Sequence, residues 1–134
     1  MRKNTFYKNE RLCGKKQIDA LFAAGFSKNE SPVKLIYNFI NEPEAKIAVK
    51  AMFVVPKKKF KKAHHRNKLK RRMREAYRLQ KAAFYKSLPE AGINIHLAFL
   101  YTASAQQPYE AVYTGINKLL NILTKESAIR LKSE

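Results

Sequence analysis

Residues 57–81 hold 13 of the chain's 28 Lys and Arg and a single acid, Glu75, so this stretch carries +12 of a net +18. Side chains of this kind do one sort of chemistry well, which is to hold anionic oxygen. The planar guanidinium grips two phosphate oxygens at once, and the lysine ammonium adds a mobile point charge. Charge runs on solvated helices usually interleave acids, and one acid among 13 bases does not fit that pattern. Like charges repel across a folded surface, so the imbalance implies a polyanionic partner. Nucleic acid is the favoured reading and an anionic membrane surface the alternative. The membrane reading requires a broad face of bulky apolar residues, and the apolar stripe here is narrow and needed by the core.

Other candidate groups carry less. Asn67 lies among the bases, where it could start a helix, face solvent, or contact RNA or a hydrated metal ion. Phe22, Tyr37 and Phe39 could stack the bases of a single strand, but their spacing is that of a core, which is the favoured reading of the spacing alone. His64 and His65 are adjacent and His96 stands alone, so none has metal-ligand spacing. Cys13 has no visible activating base and no second cysteine to pair with. The ten acids are scattered, with no carboxylate pair, and no Gly-rich loop cradles a phosphate. Glu75 sits at i±3 and i±4 from Arg71, Arg72 and Arg78, a spacing suited to an ion pair that orients those arginines. The chain itself is therefore expected to contain neither a catalytic site nor a metal site.

Those groups need a scaffold, and the pattern of residues outlines one. Residues 14–24 read as a short helix with Ile18, Leu21 and Phe22 on one face and Gly25 at its C-terminal end. Residues 29–32 read as a turn, and 33–40 alternate as a strand. Residues 41–44 are expected to close a hairpin into a second strand over 46–55, stopped by Pro56. Residues 56–62 form a basic loop. A helix over 63–87 then places Leu69, Met73, Ala76, Tyr77, Ala83 and Phe84 on one face, with Asn67, Lys70, Arg71, Arg74, Arg78 and Lys81 on an adjoining sector. Residues 93–101 alternate as a further strand. Pro108 opens a last helix striped by Val112, Ile116, Leu119, Leu120 and Leu123. Residues 1–9 and 127–134 are expected to be flexible termini.

The order α-β-β-(β)-α-β-α, with one strand missed or split, implies a single small α+β sandwich over residues 1–134. With 134 residues, 46 % of them hydrophobic, the chain can bury a real core. Its longest apolar runs span five residues, against about 20 for a membrane helix. No secretory signal is visible at the N-terminus. A cytoplasmic protein without a membrane partner is expected.

Arg66-Asn67-Lys68-Leu69-Lys70-Arg71-Arg72-Met73-Arg74-Glu75 resembles the RN-x-x-KR-x-x-RE signature of the bacterial ribonuclease P protein subunit. The basic approach over residues 56–64 fits the same pattern. Arg11-Leu12 followed by Ile18, Leu21, Phe22 and Gly25 is similar to the family's first helix. The resemblance covers roughly residues 10–101.

The resemblance implies a small partner of a large catalytic RNA, the two together removing the 5′ leader of precursor tRNA with Mg²⁺ held mainly by the RNA. No ion held by the protein alone and no obligate protein partner are implied. It also implies a four-stranded sheet with a left-handed β-α-β crossover, similar to domains of a small-subunit ribosomal protein and of elongation factor G. Arg66, Asn67, Lys70, Arg71 and Arg74 would bind the catalytic RNA, joined by Lys57, Lys58, Lys61, Lys62 and Lys68. Ile18, Phe22 and Tyr37 would line a cleft for the leader. The alternatives from other classes are a ribosomal or assembly RNA-binding protein of the same topology, with no enzyme attached, and a helix-based DNA binder.

Overall fold

A computed structural model describes residues 10–12, 14–40, 49–87 and 94–133. Its elements run α1 (Lys15–Ala24), β1 (Phe26–Glu30), β2 (Val33–Ile40), β3 (Val49–Val54), α2 (Ala63–Ser87), β4 (Asn94–Tyr101) and α3 (Tyr109–Ser133). The four strands form one mixed sheet in the order β1-β2-β4-β3. β2 pairs antiparallel with both β1 and β4, whereas β3 pairs parallel with β4, α2 making the crossover between them. This is the expected α+β sandwich, with the additional strand identified.

That strand, β1, escaped the sequence pattern for a physical reason. Phe26-Ser27-Lys28-Asn29-Glu30 is mostly polar and lies at the sheet edge, so all but Glu30 are exposed and no buried alternation marks it. Its partner is found through a turn at Ser31-Pro32, which makes β1–β2 the hairpin of this fold. The hairpin expected between β2 and β3 does not form, because β4 inserts between them. Residues 41–48, where that turn and the start of the second strand were placed, lie outside the described residues.

The two faces of the sheet are covered unequally. Val33, Leu35 and Tyr37 of β2 and Ile95, Leu97, Phe99 and Tyr101 of β4 point toward α2 and α3. There they meet Leu69, Met73, Ala76, Tyr77 and Phe84 of α2, and Val112, Ile116, Leu119, Leu120 and Leu123 of α3. A fully buried side chain such as Leu97 or Ile116 contributes about 1.5–3 kcal/mol, so this layer dominates stability. Among the described residues, α1 is the one helix on the opposite face. Its cluster is Leu12, Leu21 and Ala98, with Ile18, Ile36, Met52 and Leu100 partly buried around them.

Two glycines are set by space rather than by handedness. Gly25 follows α1 with an ordinary extended backbone (φ −74°), but a Cβ there would sit 2.8 Å from the Ile36 side chain and still closer to the Leu21 carbonyl. Gly115 lets α3 cross the β1–β2 turn, where a Cβ would stand 3.0 Å from Glu30 O.

α3 runs through Ser133, and Ser127 is fully buried with Oγ donating to Leu123 O at 2.8 Å. One further expectation is corrected. On α2, Ala83 is exposed, while Gln80 and Lys81 are buried. The buried stripe follows the slow drift of a straight helix, Leu69, Met73, Ala76, Tyr77, Gln80, Lys81 and Phe84, past positions that the side-chain types alone had assigned to solvent.

Candidate nucleic-acid interface

The loop before α2 is fixed by its own basic residues. Pro56 O accepts the amides of Lys59 and Phe60 at 3.3 Å, closing a turn. The Phe60 ring is buried against Tyr101, edge to face, with centroids 5.6 Å apart. Arg66 Nη1 donates to Phe60 O at 2.7 Å and Lys61 O at 2.8 Å, and Lys59 Nζ donates to Thr102 O. Lys57, Lys58, Lys61 and Lys62 are left pointing to solvent from a braced segment.

α2 continues the array. Because its stripe is buried against α3 and the sheet, Asn67, Lys68 and Arg71 are exposed, with Arg66, Lys70, Arg72, Arg74 and Arg78 half-buried beside them. Of the 13 bases in residues 57–81, all but Lys81 are at least partly exposed. The structure thus gathers Arg66, Asn67, Lys68, Lys70, Arg71 and Arg74 on one helix with the loop lysines at its start.

Several of these groups are held in place. Arg72 Nη1 donates to Gln107 O at 2.6 Å, and Arg78 pairs with Glu75 through Nε at 3.0 Å and Nη2 at 2.5 Å. That pairing lowers the Glu75 carboxyl below its usual range and raises the Arg78 guanidinium. The His65 ring meets that of His64 edge to face, with centroids 4.1 Å apart, and its pKa is lowered by desolvation and by the charges of His64, Lys62 and Lys68. A groove of about 460 Å³ runs along this face, lined by Lys68, Arg71, Arg72, Arg74, Glu75, Arg78 and Tyr109. A surface of fixed guanidinium groups around a groove is suited to phosphate backbones rather than to base reading. Tyr109 belongs to it although sequence gave no sign: α3 starts there, and only the path of the 102–108 connection brings it to α2.

Lys81 has a different role. Its Nζ donates to both Glu10 oxygens at 2.9 and 2.7 Å, with both side chains buried. Tyr85 Oη donates to Glu10 Oε1 at 3.1 Å and lies 3.1 Å from Tyr77 Oη. Burial, chiefly, holds both tyrosine hydroxyls above their usual pKa. This network fastens the chain before α1 to the far end of α2. Sequence could have indicated it, since Lys81 is i+4 from Tyr77 and i−3 from Phe84, both on the stripe.

The aromatic residues divide between the two faces. Phe22 is 44 % exposed on α1, and Ile18 is half-buried one turn earlier. Tyr37 is not with them. It lies on the α2/α3 face, 1 % exposed, with Oη donating to Glu126 at 2.6 Å and its ring against Phe26 and Phe39. Alternation shows that residues 35, 37 and 39 share a face, but not which face α1 covers; the residue turned toward α1 is Ile36. Beyond Ile36 the register aligns Asn38, His96 and Lys50 across β2, β4 and β3 on the same α1 side. Among the described residues no helix is long and apolar enough to cross a membrane.

The ribonuclease P family model matches residues 6–124. A ribonuclease P protein component from Porphyromonas gingivalis is 33 % identical over 129 residues, covering 95 % of this chain and 93 % of the relative. One from Chlorobaculum tepidum is 38 % identical over 110 residues, covering 78 % and 71 %. Among solved structures, the ribonuclease P protein of Staphylococcus aureus superposes with a TM-score of 0.63 at 18 % identity, covering 85 % of this chain and 94 % of that one, a likeness of fold.

Proposed function

The chain belongs to the ribonuclease P protein component family, the protein part of a bacterial tRNA-processing endoribonuclease, and from that premise we propose how its two surfaces divide the work. The α2 face and the loop before it bind the catalytic RNA, through Arg66, Asn67, Lys68, Lys70, Arg71 and Arg74 together with Lys57, Lys58, Lys61 and Lys62. The observation that carries this is the array itself: a buried stripe fixes α2, backbone carbonyls brace Arg66 and Arg72, and Lys68, Arg71, Arg72, Arg74 and Arg78 line one groove. Cations so placed offset phosphate repulsion, so the RNA needs less Mg²⁺ to fold and to hold its substrate.

The α1 face takes the 5′ leader of precursor tRNA as a single strand. Phe22 and Ile18 offer an apolar wall, and Asn38 and Lys50, partly exposed on either side of the buried His96, offer polar and cationic groups to bases and phosphates. The exposed Phe22 beside the partly exposed Asn38 and Lys50 supports the reading, since an apolar group next to polar ones suits a strand with alternating base and phosphate.

The donor set of the described residues does not fit a resident Mg²⁺. Among the described residues no three His, Cys, Asp or Glu cluster, and the densest functional segment holds one acid. We assign the ions and the hydrolytic step to the RNA, and the complex to the cytoplasm.

The test is reconstitution. The protein is mixed with ribonuclease P RNA from Porphyromonas gingivalis and a precursor tRNA, at Mg²⁺ too low for the RNA to act alone. Leader cleavage should appear only when protein and RNA are both present. Cleavage by RNA-free protein, abolished by changing one acid, would overturn the assignment of chemistry to the RNA.

A further inference from the structure

The groove between α2 and the start of α3 contains two buried polar atoms, Arg74 Nε and Tyr109 Oη, with no hydrogen-bond partner among the described residues. The groove is built rather than accidental. Tyr101 Oη donates to Ala105 O and accepts the Gln107 amide, each at 2.7 Å, and Gln107 O accepts Arg72 Nη1 at 2.6 Å. These bonds hold the connection after β4 against α2, and Tyr109 lines the same groove as Arg74. Buried polar groups are almost always paired, and an orphan calls for a partner from outside the chain or for water. Arg74 Nε–H can only donate, the Tyr109 hydroxyl can donate, and the remaining lining is four bases and Glu75. The missing group is therefore an anionic oxygen acceptor.

We propose that this groove seats one backbone phosphate of the RNA partner, with Arg74 Nε and Tyr109 Oη donating to its non-bridging oxygens. The inference rests on the RNA-binding reading above and adds to it a specific contact residue from outside the basic helix. The Glu75–Arg78 pair forms the movable wall. Both side chains are partly exposed, 47 % and 32 %, and a phosphate that draws Arg78 from Glu75 opens the way to the two buried donors. Nothing covalent changes: one ion pair is exchanged for another, and two unpaired donors gain an acceptor.

Tyr109→Phe tests this because it removes the hydroxyl and keeps the ring. Affinity for Porphyromonas gingivalis ribonuclease P RNA is measured at fixed salt, together with the melting temperature of the free protein. The expected result is binding about tenfold weaker, as for a lost bond to a charged group, with a melting temperature unchanged or raised because an orphan polar group is gone. Arg74→Lys, which keeps the charge and loses Nε, should weaken binding several-fold at an unchanged salt slope. Arg71→Ala serves as the control for the underlying reading. Wild-type affinity in Tyr109→Phe and Arg74→Lys, with Arg71→Ala impaired, would mean that the two donors meet only water, and the phosphate seat would be overturned while RNA binding by α2 stands. Wild-type affinity in all three would remove the RNA-binding reading itself. A fall in melting temperature large enough to account for the weaker binding would equally overturn the seat.

Discussion

Lys81 and Arg71 lie on the same helix, ten residues apart, and in sequence both belong to the same run of positive charge. In the fold they are opposites. Arg71 stands in solvent among like charges, while Lys81 is 3 % exposed and bonded to both oxygens of Glu10. The difference follows from the buried stripe of α2, which drifts around the helix and takes in Lys81 between Tyr77 and Phe84. Cations held by acids fix the scaffold, and cations held apart from acids remain available to a ligand. Arg66 stands between the two, since its guanidinium binds the loop carbonyls yet stays half-exposed.

The largest effect should come from breaking the buried pair. Lys81→Met leaves the Glu10 carboxylate buried with Tyr85 as its remaining named partner, and should cost about 3–5 kcal/mol of folding stability by urea denaturation. Adding Glu10→Leu should recover most of that loss, because a buried pair replaced on both sides leaves no unpaired charge. The same network sets an alkaline limit. Burial keeps the Tyr77 and Tyr85 hydroxyls neutral in the fold, whereas the unfolded chain ionises them near a pH of about 10. Their contribution is complete below that pH and should be lost as pH rises beyond it, which a pH series of denaturation midpoints will show.

Arg71→Ala should give the reverse pattern, with stability unchanged and RNA affinity lower by about 1–3 kcal/mol. Arg66→Ala should lower both, because it releases the braced loop as well as a cation. Equal losses of affinity from substitutions at Lys3 and Lys132 would show that only bulk charge matters.

Phe22→Ala should be milder still. At 44 % exposure it should cost well under the roughly 3–5 kcal/mol of a core phenylalanine. It should weaken binding of long-leader precursor tRNA and spare substrates without a leader. A stability loss as large as that of Phe99→Ala would make Phe22 a packing residue instead.

Much of this was legible beforehand. The limits of α2, the strand over 33–40, the last helix and the basic array follow from hydrophobic period and charge. What escaped did so for stated reasons. β1 is a polar edge strand that only its partner identifies. The placement of β4 between β2 and β3 depends on long-range pairing, while adjacent strands in sequence suggest a hairpin. The side of the sheet faced by Tyr37 depends on where α1 lies, which alternation leaves open. Tyr109 enters the site through a loop path fixed by Tyr101 and Gln107. Local chemistry was readable, and the partners supplied by distant segments were not.

The central claim is that α2 and its loop meet the phosphate backbone of an RNA. Its most direct measurement is the affinity for ribonuclease P RNA as a function of salt. If the array neutralises roughly 6–8 phosphates, the log–log slope should lie between about −4 and −7, and Arg71→Ala should reduce it by about one. A slope near zero, or one unchanged by Arg71→Ala, would contradict the account.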